Sequence, residues 1–237
     1  MPTVPIRSLP GFYEPFSSIS HLLGAGVFAI LGVILLQEAR GHRGRMVCLG
    51  VYVFSTVFLL SMSGVYHMLQ EGSTARAVLG RLDFAAIFVL IAGTHTPIQW
   101  LFFRGPARWL TLVVMWSAVA TGVTLFSVYY EDVPPALGTA VFLLLGWFAG
   151  VCGLIVWKRL GTARIRLLIA GGVTYSVGAI LLGLQWPTVV PGVIGFHELW
   201  HIAVLGAMAM HWRFFYHFAR SGSDTAEVLL TSTATDS

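Results

Sequence analysis

The sequence predicts an all-α fold, an integral membrane bundle of seven transmembrane helices. Three observations carry that prediction. Only 10% of the 237 residues are Asp, Glu, Lys or Arg, against roughly 25% in ordinary soluble domains. Apolar residues make up 57% of the chain, the mean hydropathy is +0.81, and the apolar positions gather in blocks long enough to span hydrocarbon, for which a helix needs about 20 residues. The basic residues, finally, are sorted to alternate ends of those blocks.

Together these exclude a soluble domain, a disordered chain, a coiled coil and a secreted disulfide scaffold. The net charge of +4 and pI near 9.4 do not indicate nucleic acid, because fourteen basic residues scattered between apolar blocks form no phosphate-binding patch.

Span 1 is placed at Phe16 to Gln37, where an apolar run follows the polar segment 1–15. It lacks a basic n-region ahead of it and a small-residue cleavage site, so it reads as a retained span and not a removable signal. Span 2 runs from Met46 to Leu69, after the basic cluster Arg40, Arg43 and Arg45. Span 3, Leu82 to Phe103, carries Pro97, expected to kink it. Span 4 is Ala107 to Tyr129, with Arg104 and Arg108 at its start. Span 5, Ala136 to Trp157, ends at Lys158 and Arg159. Span 6 covers Arg166 to Trp186, and span 7 covers Phe196 to His217. Together 16–220 make one seven-helix transmembrane domain; the Ser/Thr/Asp-rich 221–237 is expected to be a disordered tail. Small residues, among them Gly24, Gly26 and Gly122, Gly146 and Gly150 at G-x-x-x-G spacing, and Gly171, Gly172 and Gly178, predict close helix packing within the bundle.

With seven spans, the N-terminal side of the membrane holds three basic residues (Arg7, Arg76, Arg81) and the opposite side the other eleven. The positive-inside rule then puts the N-terminus outside and the C-terminus in the cytoplasm. Cys48 and Cys152 fall in the leaflet assigned to the reducing side and are expected to be free thiols.

Polar side chains inside a membrane are costly, and each is a functional candidate. Here they gather in one leaflet. Ser63 and His67 lie late in span 2, Asp83 opens span 3, His197, Glu198 and His201 open span 7, and Glu14, Ser17 and His21 stand at the start of span 1. His197 and His201 are four apart, one turn above the other on one helix face. With His67 they make three imidazole ligands for one metal ion, and three ligands leave the fourth position open, the catalytic arrangement for Zn2+. Two roles are open to Asp83, accepting a hydrogen bond from water on that ion or acting as general base, while Ser63 can orient a ligand or substrate. Glu198 points about 100 degrees away from His197 and faces either headgroups or the site as a second base. His95, His211 and His217 lie at other depths and read as packing histidines, and His42 as a loop residue.

His197-Glu198-Leu199-Trp200-His201 is a literal H-E-x-x-H, which in zinc proteases supplies two ligands and a base. Intramembrane proteases carry it early in the chain with an aspartate ligand downstream, whereas here it lies in the last span and Asp83 is upstream. A seven-span retinal protein is excluded, because the only lysine, Lys158, lies at a span end.

Three fragments then carry a family likeness: S-x-x-x-H at Ser63 and His67, Asp83 followed by the Gly93 to Pro97 turn, and H-x-x-x-H at His197 and His201. In this order and spacing, from about Glu14 to His217, the sequence resembles the hemolysin III family, the bacterial branch of the progestin and adipoQ receptor (PAQR) superfamily, and more distantly the alkaline ceramidases. The family pattern E-x-x-N-x-x-x-H at span 1 is met at Glu14 and His21, with Ser17 where asparagine is usual. The resemblance implies a bacterial inner-membrane protein whose zinc is held by His67, His197 and His201, with Asp83 and Ser63 beside it. It further implies metal-dependent hydrolysis of a lipid amide or ester, a membrane lipid being the substrate. Two other readings stay open: a non-enzymatic sensor or membrane-homeostasis protein with structural zinc, and a membrane-permeabilising protein. The adiponectin-receptor branch is described with its N-terminus inside; the charge count of this chain puts it outside. Neither the lipid nor the oligomeric state is legible in the sequence.

Overall fold

A computed structural model describes residues 7–220, so the tail 221–237 and the first six residues of the segment 1–15 lie outside it. Seven helices run in chain order: α1 (Pro15–Glu38), α2 (Arg43–Met68), α3 (Thr74–Phe102), α4 (Gly105–Val128), α5 (Pro135–Leu160), α6 (Thr162–Leu184) and α7 (Phe196–Arg220). The first six are long and apolar enough to cross a membrane. The 25-residue α7 is as long, but it carries His197, Glu198, His201, His211, Arg213, His217 and Arg220.

Neighbouring helices pack in the order α1, α2, α3, α5, α6, α7 and back to α1, a closed ring, while α4 packs on the outside of α3. The short loops make sequential helices antiparallel, so the start of α1, the end of α2, the start of α3 and the start of α7 meet at one end of the ring. Aliphatic and aromatic side chains of α1, α2, α3 and α7, including Leu35, Leu49, Tyr52, Phe102, Phe214 and Phe215, fill the other end. There the arginines of the basic face serve as helix caps. Arg45 Nη1 donates to the Ala219 carbonyl (3.2 Å), Arg159 Nη1 to Phe102 (2.8 Å) and Arg108 Nε to Phe103 (2.6 Å), covering terminal carbonyls of α7 and α3 that no intrahelical donor reaches.

The close approach of α1 and α2 depends on Gly64. A Cβ there would stand 2.7 Å from Leu22 Cγ and 3.0 Å from the Leu22 backbone nitrogen, and the bare backbone lets Ser18 Oγ donate to the Gly64 carbonyl at 2.7 Å. The G-x-x-x-G pair of α5 behaves otherwise than the sequence suggests. A Cβ on Gly146 would meet nothing within 4 Å, and one on Gly150 only Trp147 of its own helix; both glycines line a cavity instead of a helix contact.

Helix ends depart from the apolar blocks, most of all in α3. Ser73 caps it by accepting from the Arg76 N–H at 3.2 Å, so the helix starts at Thr74, eight residues before Leu82. Asp83 therefore does not open α3 but lies more than two turns inside it. The helix continues past the apolar block into the polar boundary layer, where hydropathy gives no signal. Pro97 lies inside α3 without ending it. Cys48 and Cys152 are buried free thiols.

Candidate metal centre

His67 is in the last turn of α2; His197 and His201 share a face in the first two turns of α7. Their Nε2 atoms point at one another. His67 and His197 are 3.2 Å apart at Nε2, His197 and His201 3.0 Å, and a ligating nitrogen from each lies within 4.8 Å of the others. Nitrogens bound at about 2.05 Å to a tetrahedral ion stand about 3.3 Å from each other, so the donor set fits a divalent metal. Among the described residues this is the group of His, Cys, Asp and Glu side chains able to hold a metal ion. His67 and His201 are each only 2% exposed.

All three residues of the Glu14, Ser17 and His21 face engage the site. Glu14 accepts a short hydrogen bond from His67 Nδ1, which leaves Nε2 free for a metal, the usual carboxylate–histidine support of a ligand. The Glu14 carboxyl is held down at about 2: burial works to raise it, but the hydrogen bond from His67, and then the hydrogen bond and charge of Arg76, outweigh burial. Ser17 Oγ donates to Glu198 Oε1 at 3.0 Å, so the serine found where the family pattern has asparagine keeps a polar tie to α7. The His21 ring stacks on His201 with centroids 3.9 Å apart, and both its nitrogens are buried without a hydrogen-bond partner.

Ser63 is buried one turn before His67 on α2, and Asp83 interacts electrostatically with His67 and with the Ser63 hydroxyl but is not one of the three grouped residues. Glu198, half-buried, is engaged at the start of its own helix. Its Oε2 accepts from the Gly195 N–H at 2.8 Å while its Oε1 takes the Ser17 hydroxyl, so it closes the first turn of α7 as the glutamate of a capping box does.

The segment before α1 covers this end of the ring. Arg7 N donates to the Gly192 carbonyl (3.0 Å), Tyr13 N to Met68 (3.2 Å) and Glu14 N to His67 (3.0 Å). Sequence reasoning passed over Arg76, entering it only as one basic residue on the poorer side. It pairs with Glu14 and lies over the rings of Tyr66 (4.5 Å) and Tyr13 (4.9 Å). The available signal was its position: a cation in the first turn of a helix opposes the helix dipole and needs a partner.

A cavity of about 390 Å³ lies between α3, α5, α6 and α7. Leu59, Ile87, Trp200 and Val204 are among its lining residues, and His95, Tyr175 and His211 are polar groups along it, with Thr94 and Ser176. His95 has no hydrogen-bond partner, whereas His211 Nε2 meets the Leu168 carbonyl at 3.2 Å. Neither belongs to the cluster of three.

A family profile described as Haemolysin-III related matches residues 12–212, a stretch holding every one of these site residues. The chain belongs to this family. Hemolysin-3 of Bacillus cereus is 30% identical over 199 residues, 83% of this chain and 87% of that protein. The hemolysin-3 homolog of Bacillus subtilis (strain 168) is 30% identical over 199 residues, 83% of this chain and 89% of its own length. This haemolysin-III related protein is thus a multi-pass helical bundle with a three-histidine cluster able to coordinate a metal.

Proposed function

We propose that the protein is a zinc-dependent hydrolase of a lipid amide or ester, lodged in the bacterial inner membrane with its N-terminus outside. The observation that carries this reading is the convergence of three Nε2 atoms, a set that leaves one coordination position open. Bound there, Zn2+ supplies a Lewis acid with a site for water or substrate. Asp83 accepts the proton of the attacking water and returns it to the departing amine or alcohol as the acyl C–N or C–O bond breaks, and the Ser63 hydroxyl orients the acyl carbonyl. The resemblance to PAQR proteins and alkaline ceramidases selects an amide or ester. The mostly apolar cavity, which Trp200 of α7 helps to line, offers room for an acyl chain.

Purified protein is expected to carry about one zinc, lost in His67→Ala and His201→Ala. Asp83→Asn keeps the zinc and loses turnover of N-acyl and O-acyl lipids. Wild-type protein that is equally active after chelation overturns the proposal.

A second reading, structural zinc in a non-enzymatic sensor or homeostasis protein, draws on the 2% exposure of His67 and His201 under the N-terminal segment. On that reading Asp83→Asn leaves metal content and cellular phenotype intact. The relatives' name, Hemolysin-3, supports a third, membrane permeabilisation, under which reconstituted vesicles leak whether or not the histidines are present.

A further inference from the structure

Arg76 is built into the metal end of the ring by more contacts than a surface cation needs. One guanidinium nitrogen, Nη2, binds Glu14 Oε1; the other, Nη1, donates to the Leu69 carbonyl at 2.6 Å and to Tyr66 at 3.5 Å, capping α2 just beyond His67. The guanidinium carbon also lies over the Tyr66 and Tyr13 rings. Glu14 uses its two oxygens separately, Oε1 for Arg76 and Oε2 for His67 Nδ1. The groups form one line, Arg76 to Glu14 to His67, ending at an Nε2 3.2 Å from that of His197. Removing the guanidinium frees Glu14 to rotate or turn towards water, and the tautomer and tilt of His67 lose their support.

We propose that Arg76 is a positioning residue of the metal centre: acting through Glu14, it holds His67 with Nδ1 protonated and Nε2 aimed at the ion. The inference rests on the metal reading of the three histidines. Its size follows from partners of this kind elsewhere, whose removal costs about 10–100-fold in metal affinity. Lysine is a poor substitute, because a point charge cannot bridge a carboxylate and two carbonyls while lying over two rings.

The test is zinc affinity, measured by competition with a chelator on the full chain in detergent, for wild type, Arg76→Gln, Glu14→Gln, the double variant, Arg76→Lys and Arg81→Gln. Arg81 is the control, paired with exposed Glu131 at 3.1 Å. Arg76→Gln and Glu14→Gln are each expected to weaken zinc by about 10–100-fold, the double variant no more than the weaker single, because both break the same line. Arg76→Lys recovers part of the loss and Arg81→Gln matches wild type. If Arg76→Gln does not fold, the same cycle run with Arg76→Lys decides. Losses that multiply in the double variant, or an Arg76→Gln protein that binds like wild type, overturn the inference and leave the metal reading standing. A wild-type protein that binds no zinc overturns both.

Discussion

Ser17 and Glu198 are joined by a 3.0 Å hydrogen bond that ties the first turn of α1 to the first turn of α7. With the Gly195 N–H on its other oxygen, Glu198 is committed to holding a helix end. Glu198→Gln is therefore expected to keep the zinc, to cost on the order of 1 kcal/mol of stability, and to lower lipid hydrolysis less than tenfold. Were this glutamate the base of an H-E-x-x-H protease, its loss would cost about 100-fold or more in rate. Metal analysis and turnover on the same preparation separate the two.

The pH dependence of Glu14 has a defined sign. Its carboxyl is near 2 in the folded protein against an ordinary 4.5, so it contributes stability that is fully present above the ordinary value and lost as pH falls towards 2. Thermal unfolding of chelated wild type and Glu14→Gln is expected to show a constant gap above pH 5 that closes on acidification. A gap that does not change with pH contradicts the Glu14, His67 and Arg76 arrangement.

Gly64 sets the spacing between α1 and α2 beside His67. Gly64→Ala drives a methyl to 2.7 Å from Leu22 Cγ and 3.0 Å from backbone, so α1 must move. A loss of about 1–3 kcal/mol is expected, together with weaker zinc, whereas Gly146→Ala, which meets nothing within 4 Å, is expected to be neutral.

Orientation follows from eleven basic residues on one face against three on the other. A reporter fused after Ser237 is expected to be active in its cytoplasmic form. Activity in the periplasmic form reverses the assignment and puts the histidines on the cytoplasmic side.

The helices were legible because hydrocarbon demands apolar blocks, and the three clustered histidines because imidazoles four apart share a helix face and His67 falls in the same leaflet. Asp83 shows where that logic fails. Apolar counting sees only the part of α3 inside hydrocarbon, and the true start depends on the Ser73 cap, a local bond that hydropathy does not register. Glu198 and Arg76 were opaque for another reason. Their roles come from side-chain contacts with Ser17, 181 residues away, and Glu14, 62 residues away, and no spacing rule reaches so far. The glycines of α5 fit a packing motif by spacing, yet only three-dimensional placement reveals that no helix is there to pack.

The closed order of the ring, in which α7 lies between α6 and α1, has a consequence for biogenesis. His67 is made early, and His197 and His201 are the last of the cluster to leave the ribosome. During most of synthesis the first three helices carry an incomplete donor set, and α1 has one flank open to lipid. The docking of the newest helix beside the oldest completes the three-histidine cluster, and a chain truncated before α7 is left both open-sided and with only one of the three imidazoles.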